Sequence, residues 1–422
     1  MNPKGPKLTL PEPLTGLERG SFAHYTLSER LPNIALGAIE DYEWSPQAIA
    51  NLKKLVADMP DGRLGDMADD NAPDRSDWNR HLEPYREQTW LQAPWFAAET
   101  YFFRRLIAAS GYFREGSGKM VDPYARIKQS GLLPVHNGLR DLYEGLQTLL
   151  PDPSPSKTQL KEALAYMLRM NVWGNKADLS LFPAAGSDQP FAPAIEDLSH
   201  HLLVDHAQAI SKYLTANQEH KGRVDIVLDN GGLELAYDLA LADFLLGYEV
   251  CRFVYLHTKP FPTYVSDATT LDVLAMIDYM SEAPDRTVQK FAQRLVQSVQ
   301  NGNLIIKSVY FWTSPLNCWQ MPGGFSQELA GTDLVISKGD ANYRRWLGDL
   351  RWPFDTPLDG ILNYLSFPLL FLRVFKSNCL AGLKPGQQEE VEKQDPDWLY
   401  NGGWGVIQAY FGSKAGQFEN SW

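Results

Sequence analysis

The chain has 422 residues, of which 39 are basic and 51 acidic, and its formal net charge at pH 7 is −12. This acidic balance argues against binding to nucleic acid or to an anionic membrane, because both require a basic surface, whereas a small phosphorylated metabolite requires only a few local cations. The three cysteines, Cys251, Cys318 and Cys379, are too widely spaced for a disulfide framework or a zinc knuckle, and they favour a reducing compartment.

The N-terminus reads MNPKGPKLTLPEPL, which is too rich in proline and too polar for a secretory signal peptide. No uncharged apolar stretch reaches the roughly 18 residues that suggest a membrane span. We therefore expect a cytoplasmic protein.

The first half of the chain places apolar residues at helical spacing. This pattern predicts helices over residues 95–110, 136–150 and 159–173, with a proline-rich break, PDPSPSK, before the last of them. The acidic segment 58–78 contains glycine and proline, and it predicts an exposed loop.

After about residue 200 the pattern changes to short β-branched runs that alternate with helical segments. The predicted strands are residues 224–229, 249–258, 303–312 and 332–340, and the predicted helices are 233–248, 267–282 and 287–302. Such alternation predicts crossover units, and runs that are apolar on both faces suit strands covered by helices on each side. The expected fold class is α/β, a three-layer α/β/α arrangement with a largely parallel central sheet. We expect it over residues 191–422, preceded by a mainly helical domain over residues 1–190.

Polar side chains follow several of these strands. Asp229, Asn230 and the pair Gly231-Gly232 follow the first, Asp267 follows the second, and the segment KGDANYR (338–344) follows the last. In open α/β sheets ligands bind at the carboxyl ends of the strands. Two carboxylates and an amide are hard oxygen ligands that suit Mg²⁺ or Mn²⁺, and a glycine pair at the start of a helix suits a phosphate.

Each of these segments also has a purely structural interpretation. Asp229-Asn230 and Asp267 precede predicted helices, where they are good N-cap residues, and Lys338 could pair with Asp340 in a solvated turn. The convergence of complementary charges on one sheet edge favours a metal and phosphate site, but spacing alone leaves both interpretations open.

The motifs as a whole resemble those of the damage-control phosphatase family, long catalogued as a domain of unknown function. The resemblance is to subfamily III, the sugar-phosphate phosphatases, whose human members are also described as acidic-residue methyltransferases. It rests on several segments in the family's order, and it covers nearly the whole chain: RLPNI (30–34), APWFAAETYFFRR (93–105), NVWGNKADLSLF (171–182), VDIVLDNGGLEL, YVSDAT, KGDANYRRWLGD, GLKPGQ and WLYNGGWGVIQ.

The resemblance implies that Asp229, Asn230 and Asp267 bind a divalent cation (Mn²⁺, Co²⁺, Ni²⁺ or Mg²⁺) and take part in catalysis. It also implies substrate binding by Asp229 and Asn230, by the segment Asp340, Ala341, Asn342, Tyr343 and Arg344, and by a basic motif near the C-terminus. Here that motif is Arg373-Val374-Phe375-Lys376, in which valine stands where the family has threonine. Valine cannot donate a hydrogen bond to a phosphate oxygen. Leu31 likewise replaces a family tryptophan, and the glycine pair differs from the family's commoner Ala-Gly.

The expected function is metal-dependent hydrolysis of small phosphorylated metabolites, such as fructose 1-phosphate or fructose 6-phosphate. Lys376 would supply a point charge to the phosphate and Arg344 a forked donor, while Asp340 and Asn342 suit sugar hydroxyls. For Arg373, pairing with a carboxylate is an equal alternative. The sequence leaves open whether water or an aspartate is the nucleophile.

Two other functions stay open at this point. One is an S-adenosylmethionine-dependent carboxyl methyltransferase, in which Glu234 would contact the cofactor, although a position at the helix end or core edge is equally compatible with its place in the chain. The other is a family member repurposed to a changed metal-dependent reaction. Glu99, Arg104 and Asn175 could close the cleft from the helical half, although structural roles are the simpler interpretation for all three.

Overall fold

A mixed seven-stranded sheet forms the centre of the molecule. The computed structural model describes residues 5–67, 70–150, 154–174, 199–216 and 222–412. Its strands are β1 (Leu202–Asp205), β2 (Arg223–Val227), β3 (Phe253–Thr258), β4 (Leu304–Ser308), β5 (Leu334–Lys338), β6 (Leu369–Val374) and β7 (Gly405–Tyr410). They lie in the order β1-β7-β6-β5-β2-β3-β4, and every neighbouring pair is parallel except β6 with β7.

The described helices surround this sheet. They are α1 (Phe22–Tyr25), α2 (Leu31–Glu40), α3 (Pro46–Ala57), α4 (Arg75–Leu82), α5 (Trp95–Ser110), α6 (Ala125–Ser130), α7 (Val135–Leu149), α8 (Lys157–Trp173), α9 (Ala207–Ala216), α10 (Gly232–Gly247), α11 (Thr270–Ser281), α12 (Arg286–Gln300), α13 (Gly323–Leu329), α14 (Asp340–Leu347), α15 (Leu358–Leu362) and α16 (Gln387–Gln394). A π-helical turn at Thr26–Arg30 joins α1 to α2, and short 3₁₀ turns lie at Glu83–Tyr85, Tyr310–Thr313 and Cys318–Gln320.

The alternation of side chains along each strand divides the core into two layers. Ile336 of β5 packs into a cluster that contains residues of α7, α8, α10 and α12, whereas its neighbour Val335 packs into a second cluster with residues of α2, α3 and α5. Because successive strand residues point to opposite faces, apolar runs such as β5 can be buried on both sides. The three-layer α/β/α prediction is confirmed.

Helices from the first half of the chain cover both faces of the sheet. Residues of α2, α3 and α5 belong to one core cluster, and residues of α7 and α8 belong to the other. A boundary between separate domains near residue 190 therefore stays a prediction, and residues 175–198, which include Asn175, lie outside the described ranges.

The predicted helices of the first half and the helices and strands predicted after residue 200 are all present within a few residues of the expected bounds. The sequence prediction omitted β1, β6 and β7. The run that forms β6, PLLFLRVF, is apolar except for Arg373, and periodicity cannot distinguish such a run from a buried helical segment.

The prediction of an exposed loop over residues 58–78 is wrong in part. Asp70 and Asp74 are buried and hold Arg104, with nitrogen–oxygen distances of 2.7 and 2.8 Å, and α4 begins at Arg75. An acidic segment is usually exposed to solvent, but acidic residues can be buried where a buried cation pairs with them. Here Arg104 of α5 is that cation. Arg104 therefore has a structural role in this network.

None of the helices within the described ranges is both long enough and apolar enough to cross a membrane.

Candidate active site

The register of the sheet brings the predicted site residues to one edge. Val227 of β2 lies opposite His257 of β3 and opposite Ser337 of β5, so these strands end at the same level. A cavity of about 370 Å³ opens there. Most of the predicted site residues line it, namely Asp229, Asn230, Asp267, Asp340, Ala341, Arg344 and Lys376.

Backbone hydrogen bonds join the segments that carry the acidic residues. The Ala268 N–H donates to the carbonyl of Asp229, and the Gly231 N–H donates to the carbonyl of Ser266, each at 2.7 Å. Asn230 and Asp267 thus form an isolated antiparallel bridge, and both residues line the cavity. The bridge explains how residues far apart in the chain form one site.

The loop that leads to Asp267 has a strained backbone conformation at two residues. Tyr264 and Val265 have φ angles of 48° and 69°, in the left-handed region that a β-branched residue rarely adopts. The Tyr264 hydroxyl is 2.8 Å from Thr100 Oγ1, and its ring lies 4.7 Å from that of Phe103, between centroids. Helix α5 therefore holds the strained loop in place from the other side of the cavity.

Gly339 provides the space that the Asp229 side chain occupies. Its φ angle is +78°, and a Cβ atom at this position would lie 1.9 Å from Asp229 Oδ2. Both the backbone and the contact therefore require glycine directly after β5.

The two carboxyl groups share a buried, electrostatically unfavourable environment. Burial raises the pKa of Asp229 well above its ordinary value, and the nearby charges of Asp267 and Glu234 raise it further. Burial likewise raises the pKa of Asp267 to about 6, against the opposing influence of Lys259, whose Nζ is 3.3 Å from Asp267 Oδ2. Lys259 is buried and also donates to the carbonyl of Leu228. Lys259 thus places one positive charge near the carboxyl groups of Asp229 and Asp267.

The orientation of the Asn230 amide follows from its neighbours. Its Nδ2 donates to Asp229 Oδ2 and to Glu234 Oε2, each at 2.9 Å, and its Oδ1 accepts a hydrogen bond from the Ser266 hydroxyl. Because Asp229 and Glu234 both accept from the amide nitrogen, the amide oxygen lies at the other end, beside Ser266.

These residues fit a hard divalent cation. Asp267 Oδ2 is buried and accepts no well-aligned hydrogen bond from the described residues, so it has capacity to bind a ligand. Two carboxylates and an amide oxygen are the donor types that Mg²⁺ and Mn²⁺ prefer, and a cation between them would offset the burial, and the smaller effect of nearby acidic groups, that raise the pKa values of Asp229 and Asp267. Within the described ranges no group of three or more His, Cys, Asp or Glu side chains could hold a metal, so the amide is needed to complete this set.

The basic motif after β6 contributes one available cation and one structural one. Lys376 is exposed at the cavity, and no hydrogen bond or ion pair to its ammonium group is found among the described residues. Arg373 is fully buried instead, and it lies 2.7 Å from Asp340 Oδ1. The same Asp340 oxygen accepts hydrogen bonds from the Ser377 hydroxyl at 3.0 Å and the Lys376 backbone N–H at 3.2 Å. Arg373 and Asp340 therefore position the segment that presents Lys376.

Asp340 remains ionised in spite of its burial. Burial acts to raise the pKa of Asp340, but the charges of Arg373 and Arg344 and the hydrogen bonds from Arg373 and Ser377 outweigh it, so the pKa lies below its ordinary value. Its carboxylate can therefore accept hydrogen bonds on the cavity side.

Arg344 is largely engaged by protein carboxylates. Its Nε and Nη2 donate to Asp349 at 2.7 and 3.1 Å, and its Nη1 donates to Glu99 Oε2 at 2.6 Å. The guanidinium lies 3.7 Å from the ring centroid of Trp95, and Arg30 reaches the other Glu99 oxygen at 3.4 Å. Because two carboxylates already balance it, a forked contact from Arg344 to phosphate stays a prediction, and Lys376 is the stronger candidate.

Some predicted residues lie outside the cavity. Asn342 is buried and donates to the carbonyls of Leu228 and Lys338, and the Tyr343 hydroxyl donates to Gln408 at 3.0 Å. Glu234 is also buried, behind Asn230. The structure thus brings Asp229, Asn230, Asp267 and Lys376 together but does not bring Asn342, Tyr343, Arg373 or Glu234 to the same cavity wall.

Sequence reasoning missed several residues that complete the cavity. The rings of Phe22 and Tyr400 stack at 5.0 Å between centroids, and Asn401 and Gly402 follow Tyr400 in the lining. This C-terminal loop reaches the site because β7 runs antiparallel to β6 and therefore begins at the edge where β6 ends. The segments RLPNI and WLYNGGWGVIQ contain Arg30 and Tyr400, and they offered the only sequence signal.

The chain is similar to known proteins along nearly its full length. A family profile described as the damage-control phosphatase ARMT1-like domain matches residues 26–391. The damage-control phosphatase ARMT1 of Xenopus tropicalis is 30% identical over 434 aligned positions, which cover 92% of this chain and 96% of that protein. The protein of the same name from Homo sapiens is 29% identical and covers 94% of this chain and 98% of its own. A crystal structure of a DUF89 family protein from Pyrococcus horikoshii is 13% identical, with a TM-score of 0.44 over 92% of this chain and 96% of that chain. At this TM-score the likeness adds nothing to the fold described above.

Proposed function

Because this chain belongs to the ARMT1-like family of damage-control phosphatases, we propose that its cavity binds a divalent cation and hydrolyses small phosphate monoesters. The observation that carries the proposal is the convergence of Asp229, Asn230 and Asp267 on a cavity that Lys376 also lines, with an ammonium group that has no partner among the described residues. Residues that served only as N-caps would have no reason to meet around one cavity together with a lysine.

Each group in the cavity has a chemical role in this proposal. Asp229, Asn230 and Asp267 would hold the cation, which, when bound, would neutralise charge on the phosphoryl oxygens and so favour attack on the phosphorus atom. Lys376 supplies a mobile positive charge to a phosphate oxygen. Asp340 and Arg373 keep Lys376 beside the cavity through the contacts described above.

The opposite wall suits the organic part of the substrate. Trp95, Phe22 and Tyr400 provide apolar surface that excludes water, while Glu99 and Asp340 provide acceptors for hydroxyl groups. These features support a hexose or ketose phosphate, such as fructose 1-phosphate or fructose 6-phosphate. The hard oxygen donors support Mn²⁺ or Mg²⁺, and the family resemblance adds Co²⁺ and Ni²⁺. The three dispersed, buried cysteines support a cytoplasmic location.

The test is release of inorganic phosphate from a panel of sugar and non-sugar phosphate esters, with each of the four metals added to chelator-treated protein. We expect metal-dependent release that is lost in Asp229→Asn and Asp267→Asn. Asp243→Asn is a matched control, because Asp243 is similarly buried but pairs with Arg294 away from the cavity. Absence of release across the panel, or equal activity of Asp229→Asn and the parent, would contradict the proposal.

The methyltransferase alternative predicts that Glu234 meets a cofactor. In this structure the two Glu234 oxygens face Asn230 Nδ2 and Lys338 Nζ, so no contact that Glu234 makes with the described residues favours that role. Calorimetry with S-adenosylmethionine separates the two functions, since a phosphatase alone is expected to show no binding.

A further inference from the structure

A buried charged cluster lies directly behind the Asn230 amide. It consists of Glu234 and Asp238 on α10, Lys338 at the end of β5, and Asn171 on α8. Glu234, Asp238, Lys338 and Asn171 are each at most 4% exposed. None of these residues lines the proposed substrate cavity, yet Glu234 contacts one of the proposed metal ligands.

Glu234 and Asp229 together fix which end of the Asn230 amide lies beside Ser266. The two amide ends of asparagine have similar size, and only hydrogen bonding distinguishes them. Glu234 Oε2 and Asp229 Oδ2 both accept from Nδ2, and reversing the amide would bring an oxygen against two carboxylates. An amide held in this way keeps Oδ1 on the Ser266 side, where it can serve a cation.

Lys338 in turn holds Glu234. Its Nζ is 3.3 Å from Glu234 Oε1 and 2.9 Å from Asp238 Oδ1, and it donates to the carbonyl of Asn171 at 2.9 Å. Glu234 and Asp238 are one helical turn apart, so without the ammonium group two buried negative charges would face each other. The position of the Glu234 carboxylate therefore depends on Lys338.

We infer that Lys338 is a positioning residue that acts through Glu234 to orient the Asn230 amide toward a divalent cation. The inference rests on the proposed cation site, and it assigns to Glu234 and Lys338 the function of supporting a metal ligand. Partners of this kind fix the orientation of a ligand, and their removal lowers metal affinity by roughly 10- to 100-fold.

The experiment measures Mn²⁺ binding to chelator-treated protein by calorimetry, with no substrate present. Lys338→Met and Glu234→Gln are each expected to raise the Mn²⁺ dissociation constant roughly 10- to 100-fold. The double variant is expected to bind Mn²⁺ no more weakly than the single variant with the lower Mn²⁺ affinity, because both changes interrupt the same series of contacts. Arg104→Met is the matched control, since Arg104 is also a buried cation between two carboxylates but contacts Asp70 and Asp74.

The outcomes separate the inference from the function on which it rests. If Lys338→Met loses stability like Arg104→Met but binds Mn²⁺ within about twofold of the parent, the positioning role is wrong and the cation site stands. If the parent does not bind Mn²⁺, or Asp229→Asn binds it equally well, the cation site itself is wrong. Should Lys338→Met fail to fold, Lys338→Met/Asp238→Asn replaces it, because that variant leaves one unpaired carboxylate fewer, and the same affinity criterion applies.

Discussion

Gly339 lies against the Asp229 side chain, and replacing it with alanine tests whether the observed Asp229 geometry is the functional one. The added Cβ would lie 1.9 Å from Asp229 Oδ2 and 2.1 Å from Asp229 Cγ. Non-bonded carbon atoms approach to about 3.5 Å, so the carboxylate must retreat by more than about 1 Å.

The size of the effect follows from two separate terms. The residue has φ 78° and ψ 175°, a conformation that costs an alanine roughly 1–3 kcal/mol of unfolding free energy. A displacement of about 1 Å in a reacting group lowers the rate about 10²-fold. We therefore expect Gly339→Ala to fold with moderately reduced stability, to lose at least about 10²-fold in kcat/KM, and to bind Mn²⁺ more weakly than the parent.

The assay combines phosphate release, Mn²⁺ calorimetry and urea unfolding followed by tryptophan fluorescence. Gly386→Ala is the control for backbone strain alone, because Gly386 has a φ angle of +83° and a Cβ there would meet no atom within 4 Å. If Gly339→Ala retains the parent's Mn²⁺ affinity and activity within about threefold while losing no more stability than Gly386→Ala, the position described for Asp229 is not the one that functions.

Three further changes test other parts of the cavity. Lys376→Met is expected to lower kcat/KM about 10²-fold through loss of charge stabilisation, with unchanged unfolding free energy because the side chain is exposed and makes no ion pair among the described residues. Val374→Thr restores the hydroxyl of the family motif at a residue that lines the cavity, and it is expected to lower KM for fructose 1-phosphate roughly 5- to 10-fold, since one hydrogen bond contributes about 1 kcal/mol. Arg373→Met is expected to lower the unfolding free energy by about 3–5 kcal/mol, because the mostly buried Asp340 carboxylate loses its fully buried guanidinium partner.

Each of these changes has its own control and its own contrary result. Lys393→Met removes an exposed lysine from α16, and a loss of activity equal to that of Lys376→Met would show that the effect is not local. Val254→Thr places a hydroxyl in the core away from the cavity, and an unchanged KM in Val374→Thr would remove the argument from the missing donor. For Arg373→Met, urea unfolding with a loss below about 1 kcal/mol would mean that the Asp340 pair is not a structural anchor.

The sequence alone determined the layered architecture, and it singled out the three residues that we propose as ligands of the cation. Alternating helices and apolar strands predicted the layered sheet, because burial on both faces leaves a recognisable hydrophobic pattern. The polar residues Asp229, Asn230 and Asp267 stood out because each directly follows a strand or its exit loop, and the carboxyl ends of parallel strands share one edge.

Only the tertiary structure decided how these residues are held and which cations remain available. The sequence does not distinguish Arg373, Arg344 and Lys376 as candidate phosphate-binding cations. In the structure both arginines pair with carboxylates, whereas no partner for the Lys376 ammonium is found in the described part of the chain. Asp340 and Glu99 lie more than thirty positions from the arginines with which they pair. The same holds for β6 and β7, whose antiparallel pairing brings the Tyr400 loop to the cavity. The hydrophobic pattern of a helix or strand indicates which of its faces is buried. Which side chains from other layers pair with it depends on tertiary packing, and a short sequence segment carries no information about that packing.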